Sequence, residues 1–224
     1  MIVFISGTGT DVGKTYITAQ LAGLLKQLGV NVLTQKWVQS GSVNYEDLHK
    51  HLDALNLNMN DVKSYISAMV PYQFSLPASP HLAAKAEAKS INPDKLLVAS
   101  DSLSKQCDVL LVEGSGGLMV PLNDQVCIID LLEQRKYHTL LVADNCLGSI
   151  NHTLLSIEAL RQRQIPILSV VFNNVKNITA PEILLDNPKI VHQLTGINPC
   201  CVSYQSQSIN QELNQVVQTI INSI

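Results

Sequence analysis

The sequence has no surplus of positive charge. Fifteen lysines and arginines stand against eighteen aspartates and glutamates, for a formal net charge of −3 and a pI near 6.0. A chain so balanced lacks the basic surface that neutralises a phosphate backbone, so nucleic acid is not an expected partner. Long apolar runs are missing too, and none approaches the roughly 20 residues of a membrane helix. The opening Met1–Ile5 is apolar but has neither a basic leader nor a cleavage pattern, so no membrane and no export are expected. The five cysteines, Cys107, Cys127, Cys146, Cys200 and Cys201, form no C-x-x-C pair and no Cys/His cluster. An odd number without an export signal reads as reduced thiols and a cytoplasmic setting. Repeats, low-complexity tracts and linkers are absent, and only 15% of residues are charged against 46% hydrophobic. Disorder and coiled coil are thereby excluded. One domain spanning 1–224 is expected.

What is present is an alternation. Residues 2–6 form a short apolar run, typical of a strand buried on both faces of a parallel sheet. Residues 14–28 carry apolar side chains at helical spacing (Ile17, Leu21, Leu24, Leu25, Leu28) until Gly29 ends the pattern. Further strands are expected at 30–36, 109–112, 139–143 and 167–172, and helices at 93–106, 150–163 and 208–223. The stretch 46–68 reads as partly helical, and 71–80 as irregular because of its prolines. This order predicts an α/β fold, a doubly wound and mainly parallel sheet of the P-loop NTPase kind.

In such sheets ligands bind beyond the carboxyl ends of the strands. After the first strand comes Ser6-Gly7-Thr8-Gly9-Thr10-Asp11-Val12-Gly13-Lys14-Thr15. Glycines let backbone N–H groups turn inward around phosphate oxygens, and the following helix adds its positive end. Lys14 would reach the terminal phosphates and the Thr15 hydroxyl would bind Mg²⁺. Gly7 lies one residue further from Gly13 than the usual G-x-x-x-x-G-K-[ST] spacing. The bland alternative, a glycine-rich turn beside a surface lysine, is disfavoured by the strand-before, helix-after context.

Lys36 and Ser40-Gly41 follow the second strand, Glu113-Gly114-Ser115-Gly116-Gly117 the third, and Asp144-Asn145 and Asn173-Asn174 later ones. Glu113 can hold Mg²⁺ or its water, although a structural acid paired with a lysine would look the same. Lys36 offers a second cation for a transferring phosphate. Asp47 near a helix start could be only a dipole partner. His49 and His51 are two apart and share no helix face, so no metal role is expected of them. His81 and His152 read as structural.

Taken together the motifs resemble dethiobiotin synthetase over nearly the whole chain. The segment Gly7–Thr15 is similar to that family's G-T-D-T-x-V-G-K-T, which has the same extra residue. Lys36-Trp37-Val38-Gln39-Ser40-Gly41 resembles K-P-V-x-[ST]-G, and Pro71-Tyr72-Gln73-Phe74 with Pro77-Ala78-Ser79-Pro80-His81 resembles P-Y-x-F-x-x-P-x-S-P-H. Val112–Gly117 resembles V-E-G-A-G-G, Leu147–His152 resembles L-G-x-I-N-H, and Asn173-Asn174 takes the N-[DN] position.

The resemblance implies closure of a cyclic urea, in which 7,8-diaminopelargonate, CO₂ (or bicarbonate) and ATP give dethiobiotin, ADP and phosphate in biotin synthesis. It implies catalytic roles for Lys36, Lys14 and Thr10, with Mg²⁺ arranged by Thr15, Asp47 and Glu113. ATP contacts are implied for Asp11, Val12, Gly13, Lys14, Thr15, Tyr16, Asp47, Glu113, Gly114, Ser115 and Gly116. At the base end they are implied for Asn173, Asn174, Val202, Ser203 and Tyr204. Substrate contacts are implied for Ser40 and, from the second subunit of a homodimer, Gly148, Ile150 and Asn151.

This chain departs from the family pattern at several positions: Trp37 stands for proline, Gly9 for aspartate, Asp11 for glutamate and Ser115 for alanine. The metal-binding aspartate is expected at Asp47, with Asp53-Ala54-Leu55 as the alternative. A switch ATPase acting through a protein partner is the rival reading, but residues 6–13 lack its early lysine. An amidotransferase synthetase would adjoin a glutaminase domain, for which the chain is too short. A GTPase would carry N-K-x-D where this chain has Asn173-Asn174-Val175-Lys176.

Overall fold

The computed structural model describes residues 1–224. The chain opens with strand β1 (Ile2–Gly7), helix α1 (Lys14–Gln27), β2 (Val32–Lys36) and β3 (Val38–Ser40). Then come α2 (Glu46–Ala54), α3 (Ile66–Met69), β4 (Tyr72–Phe74), α4 (Pro80–Ala86) and α5 (Pro93–Ser104). Next are β5 (Val109–Gly117), α6 (Ile128–Arg135), β6 (His138–Asp144), α7 (Ser149–Gln162) and β7 (Ile167–Asn173). Helix α8 (Pro181–Thr195), β8 (Cys200–Val202), α9 (Ile209–Glu212) and α10 (Asn214–Ile221) close it.

Six strands form one sheet in the order β2-β5-β1-β6-β7-β8, and every pairing in it is parallel. Successive side chains point to opposite faces of a strand, so a strand covered on both sides must be apolar throughout. Val3, Ile5, Val109, Leu111, Leu140, Val142 and Val171 pack on the face covered by α1 and α10. Phe4, Leu110 and Val112 pack on the other face with residues of α5 and α6. Leu141, Ala143, Val170 and Phe172 continue that face against α7 and α8. This two-sided burial is why the strands read as unbroken apolar runs.

The chain leaves β1 toward β2, and after β5 it crosses β1 to begin β6. The connections thus diverge on either side of β1, which opens a crevice at its carboxyl end. The loop carrying Gly7 to Gly13 fills that place.

Several elements differ from the sequence expectation. The 71–80 segment is not wholly irregular: β4 pairs in parallel with β3, joining Val38 to Tyr72 and Ser40 to Phe74. Strands of three residues are too short for periodicity to show them. The third strand runs on past Val112 through the glycines to Gly117, because Gly7 and Gly117 still pair. The closing helix is split at Leu213, with α9 before it and α10 after. Helices α4, α6 and α8 and strand β8 lie where the sequence reading placed no element; Pro181 and Pro188 disguise α8.

Pro188 lies inside α8, where it has no N–H to give the carbonyl four residues back. That carbonyl, on Leu184, instead accepts from Asn145 Nδ2 at 3.1 Å, while Asn187 Nδ2 donates to Asn145 Oδ1 at 2.9 Å. Asn145 is 3% exposed, and its side chain substitutes for the missing helical donor. Replacing Asn145 by Ala should therefore lower stability by about 1–3 kcal/mol, the cost of leaving buried polar partners unmet. Urea unfolding checks this.

Candidate active site

The loop after β1 is shaped by two glycines. Gly13 has φ 89°, and a Cβ there would meet Asn173 Nδ2 at 2.1 Å. A Cβ on Gly7 would come within 2.7 Å of the Gly9 carbonyl and 3.0 Å of that of Gly116. The loop thus folds tightly against both the β7 end and the 113–117 segment. Helix α1 starts at Lys14 with Gly13 as its cap, so its unpaired N–H groups face the loop's interior. Lys14 Nζ donates to the Gly9 carbonyl at 3.0 Å. Burial and the nearby Lys36 ammonium bring the Lys14 pKa down to about 8.

Glu113 sits at the centre. It is fully buried, and its Oε1 accepts from Thr15 Oγ1 at 2.9 Å and from Lys36 Nζ at 2.5 Å. His51 Nε2 lies 2.9 Å from Oε2. Lys36 Nζ is also 2.8 Å from Asp47 Oδ2. Burial pushes the Glu113 carboxyl up, but the Lys36 charge and the bonds from His51 and Lys36 outweigh it and hold it far below the carboxylate range. Lys36, in turn, is raised: burial works against its charge, and Glu113 and Asp47 overcome it. Both groups are therefore ionised.

Around this cluster is a cleft of about 840 Å³, a size typical of small-molecule sites. Of the residues expected from sequence, Thr10, Asp11, Gly13, Lys14, Thr15, Tyr16, Lys36, Ser40, Asp47, Glu113, Ser115 and Gly116 line it. Asp53 also lines it but makes no ion pair, whereas Asp47 is bonded to Lys36. Val12 and Gly114 lie beneath the lining; the Val12 carbonyl accepts from Asn173 Nδ2 at 3.0 Å. In this structure, then, the Asn173 amide braces the loop. Asn174 N–H donates to the Val202 carbonyl at 2.8 Å, which joins the two segments expected at the base end. Ser203 Oγ donates to Glu212 Oε1 at 2.7 Å, and Tyr204 is exposed.

Gly148 and Ile150 are outside the cleft. They line a separate cavity of about 570 Å³ formed with α8, and Asn151 follows on exposed α7 surface. A further cavity, of about 460 Å³, lies behind the phosphate loop and shares Thr10 and Gly116 with the main cleft.

Sequence reasoning passed over His51, which is fully buried, and Lys50, which lines the cleft. A signal for His51 existed. It lies four residues after Asp47, on the same helix face, whereas the spacing considered was to His49.

Trp37, in place of the family proline, has a structural use. Its backbone N–H donates to the Glu113 carbonyl at 3.1 Å, a bond proline could not make. Its indole donates to Ser100 Oγ at 3.0 Å and packs on Phe4.

The donors suit Mg²⁺. Thr15, Glu113 and Asp47 offer hard oxygens, with Thr15 Oγ1 beside Glu113 Oε1. No group of three His, Cys, Asp or Glu side chains forms a protein cage. A cation held by so few side chains would take its other ligands from water and phosphate oxygens.

A family model described as an AAA domain matches residues 2–212. Among solved structures, pNOB8 ParA superposes with a TM-score of 0.59 at 15% identity, covering 100% of this chain and 99% of its own. A ParA family ATPase from Chlorobium tepidum gives 0.52 at 15% identity, covering 99% and 97%. At such identity the likeness speaks for the fold, and fold and loop together define a P-loop nucleotide-binding protein of the α/β class. A Haemophilus influenzae protein named ATP-dependent dethiobiotin synthetase BioD 2 is 41% identical over 77% of this chain and 90% of its own. One so named from Halalkalibacterium halodurans is 38% identical over 86% and 79%, and one from Methanococcus vannielii 34% over 80% and 81%. The chain belongs to the dethiobiotin synthetase family.

The depressed Lys14 pKa has two consequences. The cation that would hold the phosphates is present at pH 7 and lost as pH rises through about 8. Binding of metal-free ADP should therefore weaken between pH 7 and 9 by calorimetry, and Lys14→Met should flatten that dependence. Because the folded state binds this proton less tightly than the unfolded chain, the charge costs the fold on the order of 3 kcal/mol below pH 8. The penalty fades between pH 8 and the ordinary lysine value. Lys14→Met should raise Tm at pH 7 by at least ~2 °C, checked by calorimetric melting.

Proposed function

We propose that this cleft closes the cyclic urea of dethiobiotin from 7,8-diaminopelargonate and CO₂ at the expense of ATP, as a carbon–nitrogen ligase of biotin synthesis. The observation that carries the reading is the convergence of Lys14 and Thr15 at the start of α1, Lys36 and Glu113 on the paired strands β2 and β5, and Asp47 on α2. One domain, 1–224, would carry the whole activity.

In this reading one substrate amine takes up CO₂ as a carbamate. A carbamate oxygen attacks the γ-phosphorus and ADP leaves, giving a carbamic–phosphoric anhydride. The second amine then attacks the anhydride carbonyl, the C–O bond to phosphate breaks, and the ring closes with loss of the amine proton. The protein supplies position and charge more than covalent chemistry. Lys14 and Lys36 hold the γ-phosphate and the carbamate, and Thr10 and Ser40 contact the carbamate and its neighbours. Thr15, Asp47 and Glu113 would hold Mg²⁺, which neutralises charge on the phosphates when bound. The loop amides and α1 start receive phosphate oxygens. Tyr16, Ser115 and Gly116 border the nucleotide, while Asn173, Asn174 and residues 202–204 border the base.

A homodimer completes the site. Gly148, Ile150 and Asn151 of one subunit would present the α7 start to the substrate carboxylate in the other. Exposed apolar side chains of Met119 and Leu155, beside the cavity behind the phosphate loop, suit a covered face. No helix is long and apolar enough to cross a membrane, and all five cysteines are unpaired. The unpaired thiols fit a place in the cytoplasm.

Purified protein given 7,8-diaminopelargonate, bicarbonate and Mg-ATP should release dethiobiotin, seen by mass, and phosphate in equal amounts. Lys14→Ala and Lys36→Ala should each lose at least ~100-fold in kcat while staying folded. A folded, ATP-binding protein that makes no dethiobiotin overturns the reading and leaves the switch ATPase. For the dimer, mixing inactive Lys14→Ala and Asn151→Ala proteins through partial unfolding and refolding should restore activity, because one of the two sites in a mixed dimer is intact. No restoration would place Asn151 and Lys14 in the same subunit's site.

A further inference from the structure

We infer that His51 is a positioning residue, one that fixes which oxygen of Glu113 faces the nucleotide and its cation. The inference rests on the assignment of Glu113 as a metal-holding acid, and on no other part of the proposed reaction.

Glu113 has two oxygens with different company. Oε1 lies on the cleft side, where Thr15 and Lys36 donate to it. Oε2 has His51 Nε2 at 2.9 Å, and both side chains are fully buried. A carboxylate flanked by an ammonium can only accept, so the N–H at His51 Nε2 is the donor. A buried carboxylate free at one oxygen could rotate about its last torsion, which is a soft one. The imidazole removes that freedom and keeps Oε1 turned toward Thr15 and Lys36.

The placement is specific. His51 stands one helical turn after Asp47, so α2 brings two groups to the cluster from one face, Asp47 to Lys36 and His51 to Glu113. His51 Nδ1 is buried and has no partner. Because α2 carries both residues, its docking and the orientation of Glu113 are one event.

The test compares His51→Gln with His51→Asn. A glutamine amide nitrogen can take the place of Nε2, while asparagine, one methylene shorter, stops near Nδ1. Both are polar, so burial and general destabilisation act on them alike. The first readout is Mn²⁺ binding to the protein–ADP complex, followed by electron paramagnetic resonance, which needs neither substrate nor turnover. His51→Asn should weaken Mn²⁺ binding at least ~10-fold, the usual loss when a partner of a ligating group is removed, and His51→Gln should stay within ~3-fold of wild type on the same scale. The second readout is the Mg²⁺ concentration for half-maximal phosphate release, which should move in the same order. Equal Mn²⁺ affinity in wild type and His51→Asn overturns the inference, as does equal loss in both variants. If wild-type protein with ADP binds no Mn²⁺ at this site, the assignment of Glu113 falls and the inference with it. A protein that binds Mn²⁺ in the expected order and makes no dethiobiotin leaves the inference standing and removes the proposed reaction.

Discussion

The ion pair between Lys36 and Glu113 is the joint on which the site is assembled. Neither group could stay charged alone, because each has lost nearly all contact with water and an isolated buried charge is costly. Each is the reason the other is ionised. Sheet register brings them together: Lys36 is the direct partner of Glu113 across β2 and β5, and Ile5 of β1 is its partner on the other side. A slip of one residue would turn Lys36 to the opposite face of the sheet. The apolar packing that sets the register therefore also sets the charge cluster.

The surrounding parts depend on the same joint. Thr15, in the first turn of α1, donates to Glu113, Asp47 and His51 reach in from α2, and the Trp37 backbone is tied to the Glu113 carbonyl. Three segments far apart in sequence, carrying Thr15, Lys36 and His51, meet at one carboxylate. Lys14 stands nearby, bonded to the Gly9 carbonyl; burial and the Lys36 charge outweigh the pull of Glu113, Asp11 and Asp47 on it. The charge that suits phosphate is one whose burial works against the fold.

Much of this was readable in the chain. The buried parallel strands showed as apolar runs because both faces are covered, and the residues after them gathered at one edge. Lys14, Thr15, Lys36 and Glu113 were legible as polar residues at strand ends. Asp47 was readable only as one of two aspartates; both line the cleft, and Asp47 alone of the two pairs with Lys36. The short β3–β4 pair was hidden by its length and by flanking prolines, and α8 by Pro188. His51 was hidden because spacing alone does not say toward what a helix face is turned.

The sequence by itself determined the fold class, the phosphate loop and the family, since all three rest on local spacing and on ordered motifs. Tertiary structure alone decided that one carboxylate is shared by three donors, that Asn173 braces the Val12 carbonyl, and that Gly148 and Ile150 lie apart from the cleft. The reason is physical. Local order follows from steric and hydrophobic periodicity within a few residues, while charge, burial and hydrogen-bond partnership arise only between segments that folding has brought together.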